Sequence, residues 1–177
     1  MATRRLNLPT AITLSRIVFI PFFIFVTPER PLLGAAIFLV AAATDFLDGY
    51  LARLYGQVTT FGIILDPIAD KFLVISALIL LVDLGSLPAW IAIVIIVREF
   101  LITALRVVAL SKDIVIGAEM GGKIKTVTQI SAVVCLIVKD ELLFVDLYDP
   151  GMVLILISLV LALISAVQYT VQFWRKL

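Results

Sequence analysis

Six apolar stretches, at about residues 10–28, 32–55, 60–83, 87–111, 121–139 and 150–173, take up most of this chain of 177 residues. Each is close to the roughly 20 residues that an α-helix needs to cross a hydrocarbon layer. The joins between them (TPERP, LYGQVT, DLGSLP, SKDIVIGAEMGG and KDELLFVDLYDPG) hold the turn formers and much of the remaining charge. Hydrophobic residues make up 63% of the chain and the mean hydropathy is +1.20, against roughly 45–50% apolar residues in a soluble domain. A soluble core of this size has no room for that much apolar surface, so the expected solvent is lipid. The expected fold class is all-α: a polytopic membrane protein with six transmembrane helices, forming a single domain over residues 1–177.

Lysine and arginine set the orientation. Arg4, Arg5, Arg53, Lys112, Lys123, Lys125, Arg175 and Lys176 fall on one side of the six stretches, and only Arg30 and Lys139 on the other. The positive-inside rule then puts both termini and the second-to-third and fourth-to-fifth connections in the cytoplasm. Arg4 and Arg5 before an apolar run superficially suggest a signal peptide. Thr13, Ser15 and Arg16 interrupt that run and no small-residue cleavage site follows it, so a retained first helix is expected. The single cysteine, Cys135, sits in an apolar run and reads as a core residue. Histidine is absent, which leaves carboxylates, lysine and water for proton transfer. The formal charge of +1 and the lack of a basic run argue against a nucleic-acid partner.

Four aspartates stand out in so apolar a chain. Asp45 and Asp48 are three apart and Asp66 and Asp70 four apart, so each pair lies on one face of its own helix. The short join around 55–60 makes the two helices antiparallel neighbours, with Asp48 level with Asp66 and Asp45 with Asp70. Ion pairs to Lys71 and Arg98, a proton or ion pathway, and a catalytic metal site are the open readings. Four converging anions in a low dielectric repel one another and call for neutralisation. Oxygen-only ligands favour a hard divalent cation, Mg²⁺ or Mn²⁺, over zinc, and the metal site is the favoured reading. Gly49 and Ala52 share the face of the first pair and leave a groove for close approach, or for a second helix. Arg53 near the membrane surface suits a phosphate or a membrane anchor, and Gly62 lies one turn before Asp66.

Residues 45–70 read D-x2-D-G-x2-A-R-x8-G-x3-D-x3-D. This resembles the signature of the CDP-alcohol phosphatidyltransferases at all of its eight fixed positions, and the six-helix reading is similar to that family's membrane domain. The resemblance implies two divalent cations, Mg²⁺ or Mn²⁺, held by Asp45, Asp48, Asp66 and Asp70, with Asp70 also the general base. It implies that Asp48, Gly49, Ala52, Arg53 and Gly62 line the site for CDP-diacylglycerol, from which an alcohol displaces CMP. It further implies a homodimer, in a bacterial inner membrane, with the active site facing the cytoplasm.

The acceptor alcohol is read outside the signature. Arg98 and Arg106 are eight apart on the fourth stretch, hence on roughly one face, and Lys123 and Lys125 open the fifth. One arrangement pairs Arg98 with an aspartate and Arg106 with Glu99, leaving the lysines as hydrated anchors. The other is a basic pocket for a phosphorylated acceptor, since arginine offers a fork of donors matched to phosphate. NLPTAITLSR (7–16), REFLITALR (98–106) and GKIKTVTQ (122–129) resemble the branch of the family that uses glycerol 3-phosphate and makes phosphatidylglycerophosphate. Thr10 stands where that branch often has Asn. By this resemblance Arg16, Arg98, Arg106, Lys123, Lys125, Thr126 and Gln129 contact the acceptor or a lipid phosphate. Another phosphorylated acceptor such as inositol phosphate, and from a different class a divalent-cation carrier, are the alternatives.

Overall fold

A computed structural model of the chain describes residues 18–55, 60–112, 120–139 and 145–176, and side chains at 18–44, 71–109, 111–112, 124–139 and 145–175. Those residues are helical, with no strand among them: α1 (18–26), α2 (Pro31–Tyr55), α3 (Thr60–Asp83), α4 (Ala89–Ser111), α5 (Met120–Val138) and α6 (Tyr148–Lys176). The five longer helices follow the apolar stretches closely. α4 starts at Ala89 rather than 87, because Pro88 disfavours helical backbone at Leu87. α6 runs on to Lys176, past the expected end at 173. Its Pro150 lies in the first turn, where a missing N–H leaves no gap in the ladder. Asp149 in that turn suits the positive end of the helix dipole.

The chain divides into two compact units, Met1–Leu80 and Leu81–Leu177. In the first, α1 and α2 form an antiparallel hairpin. The Phe23 and Phe38 rings, both fully buried, stack at 5.7 Å between centroids. Nearer the turn, Thr27 faces Gly34, and Pro31 supplies the preset φ that opens α2. Thr27 Oγ1 donates to the Phe23 carbonyl at 2.6 Å, satisfying a buried hydroxyl within its own helix.

In the second unit, α6 packs on both α5 and α4. The end of α3 leads into this unit through a Schellman turn. Gly85 takes a left-handed φ of 67°, its N–H reaches Val82 O at 3.0 Å, and Ser86 N–H reaches Leu81 O at 2.9 Å. Lys139, just past the negative end of α5, donates to Ser86 Oγ at 3.4 Å. Against α6, the backbone of Gly151 lies so near α5 that a Cβ there would meet Leu136 Cγ at 2.9 Å and Cys135 Cβ at 3.1 Å. Cys135, a half-buried free thiol, thus helps form the α5–α6 contact.

The buried stripe of α6 is Gly151, Ile155, Ser158, Ala162, Ser165, Tyr169 and Phe173. Small residues recur along it, as in membrane helices whose backbones approach closely. The outward faces stay apolar as well: Trp90, Ile93, Val97 and Leu101 on α4, and Val153, Val160, Ile164 and Val167 on α6, are exposed. Among the described residues, Tyr148–Arg175 is the helix long and apolar enough to cross a membrane, and Pro31–Thr44 and Ile124–Val138 are shorter apolar stretches.

The α1–α2 hairpin carries a stability test. A Cβ on Gly34 would lie 2.9 Å from the Cα of Thr27 and still nearer its Oγ1, so the backbones must separate. Gly34→Ala should cost about 1–3 kcal/mol, seen as a lower thermal midpoint in detergent. A midpoint equal to that of the unaltered protein would show that the hairpin yields without strain.

Candidate active site

The four aspartates sit on the two helices that flank the 56–59 connection. Asp45 and Asp48 lie in the C-terminal half of α2, and Asp66 and Asp70 in the N-terminal half of α3. Asp48 is seven residues from the end of α2 and Asp66 six from the start of α3, while Asp45 and Asp70 are each ten away. At 1.5 Å per residue the inner pair stands about 10 Å along its helices and the outer pair about 15 Å. Gly49, Ala52 and Arg53 continue α2, and Gly62 lies in the first turn of α3. The side chains of residues 45–70 lie outside the described residues, as do Arg16 and the side chain of Lys123. Among the described residues no group of three or more His, Cys, Asp or Glu gathers to hold a metal. The donor set itself fits one: four carboxylates at i,i+3 and i,i+4 on continuous helix offer hard oxygen ligands from one face each. Pro67 stands between the second pair. Lacking an N–H, it leaves the Ile63 carbonyl without its usual i+4 donor inside α3.

The second polar centre lies in the α4–α6 unit. Arg98, 8% exposed, donates from Nε to the Ala162 carbonyl of α6 at 2.9 Å and from Nη1 to Glu99 Oε1 at 2.8 Å. The same carboxylate oxygen accepts Lys125 Nζ from α5. Two cations and one carboxylate therefore meet where three helices join. Two turns further along α4, Arg106 Nη2 donates to Tyr169 Oη at 3.1 Å, with its guanidinium 5.6 Å from the centre of that ring. Arg98 and Arg106 share a face, as their spacing implies, and the face is turned to α6.

The alternative arrangement, with Arg106 on Glu99 and Lys125 a hydrated anchor, is corrected here. Arg106 reaches Tyr169 rather than Glu99, because seven residues of helix carry Arg106 about 10 Å past Glu99. Glu99 is instead shared by Arg98 and Lys125. Lys125 is not a hydrated anchor: it is 6% exposed and ion-paired in the interior. Thr126, its neighbour, is exposed, whereas Gln129 one turn on is buried.

Sequence reasoning missed the contribution of α6. Ala162 enters through its backbone, and Tyr169 and Ser158 lie in the stripe of small and polar residues. That 3–4 spacing in an otherwise apolar span was the available signal.

Comparison with known proteins identifies the family. The sequence model of the CDP-alcohol phosphatidyltransferase family matches residues 6–167. A protein of Bacillus subtilis named CDP-diacylglycerol–glycerol-3-phosphate 3-phosphatidyltransferase is 45% identical over 150 residues, covering 76% of this chain and 78% of its own. Proteins of the same name from Escherichia coli K12, 38% identical over 92% of both chains, and from Wigglesworthia glossinidia brevipalpis, 36% identical over 98% of both, align along nearly the whole length. With its aspartate signature intact across α2 and α3 and the family match running through both units, this chain belongs to the CDP-alcohol phosphatidyltransferase family.

Proposed function

We propose that the protein transfers a phosphatidyl group from CDP-diacylglycerol to glycerol 3-phosphate, giving phosphatidylglycerophosphate and CMP in phospholipid biosynthesis. The observation that carries this reading is the intact eight-position signature in a chain aligned end to end with relatives bearing that enzyme's name. The basic centre of Arg98, Arg106 and Lys125 supports a phosphorylated acceptor.

Asp45, Asp48, Asp66 and Asp70 hold two divalent cations, Mg²⁺ or Mn²⁺. When bound, these would neutralise charge on the attacking alcohol oxygen and on the leaving oxygen of the pyrophosphate. Asp48, Gly49, Ala52, Arg53 and Gly62 bind the CDP end of the lipid, the glycine and alanine leaving room at the backbone. Asp70 accepts the proton of the free primary hydroxyl of glycerol 3-phosphate. That oxygen bonds to the lipid-linked phosphorus, and the bond from this phosphorus to the bridging oxygen breaks as CMP departs. Arg98, Arg106 and Lys125, with Arg16, Lys123, Thr126 and Gln129, contact the acceptor or a lipid phosphate.

The same reading places the protein in a bacterial inner membrane as six transmembrane helices in one domain, with both termini and the active site on the cytoplasmic side, and as a homodimer. Two exposed tryptophans support the span. The Arg98–Ala162 and Arg106–Tyr169 contacts show that α4 and α6 run parallel. That register sets Trp90 level with about residue 154, some 20 residues before Trp174, or roughly 30 Å along the helix. This equals the thickness of the hydrocarbon layer, at whose two faces tryptophan concentrates. The Lys/Arg asymmetry supports the orientation.

CMP release from CDP-diacylglycerol tests the reaction. It should vanish when divalent cations are removed and return with Mg²⁺ or Mn²⁺, and full activity in chelator would refute the metal role. Asp70→Asn should lower the single-turnover rate by about 10²- to 10⁴-fold, as expected for losing a general base, with a smaller effect on CDP-diacylglycerol affinity. Collapse of affinity with a surviving rate would make Asp70 a ligand only.

The acceptor pocket is tested by Arg106→Gln. Losing a charge-assisted hydrogen bond worth about 1.5–3 kcal/mol should raise the KM for glycerol 3-phosphate roughly 10- to 100-fold, with that for CDP-diacylglycerol nearly unchanged. An unchanged acceptor KM would remove Arg106 from the pocket. A panel of other phosphorylated alcohols, inositol phosphate among them, decides the acceptor.

A further inference from the structure

Threonines in this structure, and Ser111 at the end of α4, share one habit. Thr27, Thr44, Thr103, Thr128 and Thr170 each donate to the carbonyl four residues back, at 2.6 to 2.9 Å, and Ser111 to the one three back. That back-bond is the usual way for a helical hydroxyl to be satisfied away from water. Ser158 departs from it. It is 1% exposed in the middle of α6, and its Oγ has no hydrogen-bond partner. Gln129, 5% exposed in the middle of α5, has an equally unpartnered Nε2. Each such group forfeits its bonds to water with nothing in return, so a native interior that keeps two of them holds them for something.

The two belong to one place. α5 and α6 are antiparallel, with Gly151 against Leu136 at one end. At the other, Lys125 meets the Ala162 carbonyl through the Glu99–Arg98 relay. Eleven residues back along α5 thus correspond to eleven forward along α6. In that register Gln129 and Ser158, each seven residues from the first contact and four from the second, fall level with one another on the buried faces of the two helices. They form a layer of their own, about 6 Å of helix from the Arg98–Lys125 cations.

We infer that Gln129 and Ser158 form a polar notch that takes an alcohol hydroxyl of a phosphorylated ligand, specifically the secondary, non-attacking hydroxyl of the acceptor. An amide N–H donates to a hydroxyl oxygen, and a serine Oγ accepts the hydroxyl's own proton. Together they complete both bonds of one alcohol group. The cations one turn away take the phosphate, and a hydroxyl on the carbon next to a phosphate-bearing carbon lies within that reach. Ser158 thereby becomes a specificity residue on α6, and Gln129 reads a hydroxyl rather than a phosphate. This assignment rests on the phosphatidyl-transfer reading above.

The test compares glycerol 3-phosphate with 3-hydroxypropyl phosphate, which keeps the primary hydroxyl and the phosphate and lacks only the secondary hydroxyl. With the full-length enzyme, CDP-diacylglycerol and divalent cation, the unaltered protein should prefer glycerol 3-phosphate by roughly tenfold or more in kcat/KM. Ser158→Ala and Gln129→Met should each bring that preference to within about threefold. The thermal midpoint of ligand-free Ser158→Ala should equal or exceed that of the unaltered protein, since an unpaired hydroxyl is removed. Equal use of both acceptors by the unaltered enzyme would mean that water fills the notch, and overturns the assignment. So would variants that keep the full preference, or a midpoint lowered by Ser158→Ala. Failure of both acceptors to release CMP would refute the phosphatidyl-transfer reading itself, an outcome distinct from loss of discrimination.

Discussion

The bond from Arg98 Nε to the Ala162 carbonyl organises the α4–α6 unit. A guanidinium in the middle of an apolar bundle needs all its donors answered, because water is not there to help and an unanswered charge is costly. A backbone carbonyl has a second lone pair beyond the one its own helix uses, so α6 answers Arg98 without carrying a charge. That contact fixes how α4 lies along α6 and puts Arg106 beside Tyr169. It also turns Glu99 toward α5, where its carboxylate takes Lys125 as well as Arg98. The buried lysine is tolerable because the glutamate is there, and the glutamate is there because of where Arg98 is held.

Helix positions were legible in the sequence because hydropathy and turn formers report the same boundaries. Pro31 opens α2, Gly85 closes the turn after α3, and Pro88 moves the start of α4 to Ala89. The family and its aspartate signature were legible for a related reason: ligand spacing on a helix is a property of sequence alone. Side-chain partners across helices were not. Glu99 and Arg106 share a helix and opposite charge, yet two turns separate them, and Tyr169 is nearer although sixty-three residues away in sequence. Lys125, near the start of its helix, reads as a surface anchor until the α4 carboxylate is seen to draw it inward. Ser158 was invisible for a deeper reason. Sequence shows that a hydroxyl exists, and only coordinates show that it is buried without a hydrogen-bond partner.

Charge in this chain is placed sparingly, and its placement separates solvent from site. Inside the six apolar stretches, apart from Asp83 and Lys139 at their ends, the charged residues are the aspartates of α2 and α3 with Arg53 and Lys71, the Arg98–Glu99–Arg106 set, Lys123 and Lys125, and Arg16. All but Lys71 and Glu99 carry proposed roles in metal, nucleotide or phosphate binding. Lys71 adjoins Asp70 in sequence, and Glu99 holds the two cations of its own centre. The outward faces of α4 and α6 are mostly aliphatic and aromatic, with Arg106 and Gln168 also exposed there.

α6 shows how a helix contributes to chemistry without any such group. Between Asp149 and Arg175 it has no ionisable acid or base other than Tyr169, so its exposed side there carries no formal charge. On the other side it supplies a carbonyl to Arg98, a phenol to Arg106 and an uncommitted hydroxyl at Ser158. Neutral groups of this kind suit discrimination better than affinity. A cation pair attracts any phosphate, whereas a serine and an amide left unpaired in the interior gain their bonds only from a ligand with an oxygen at the right distance. In the proposed site, the charged residues of α4 and α5 draw phosphorylated molecules as a class, and the neutral ones along the α5–α6 seam then distinguish one alcohol from another.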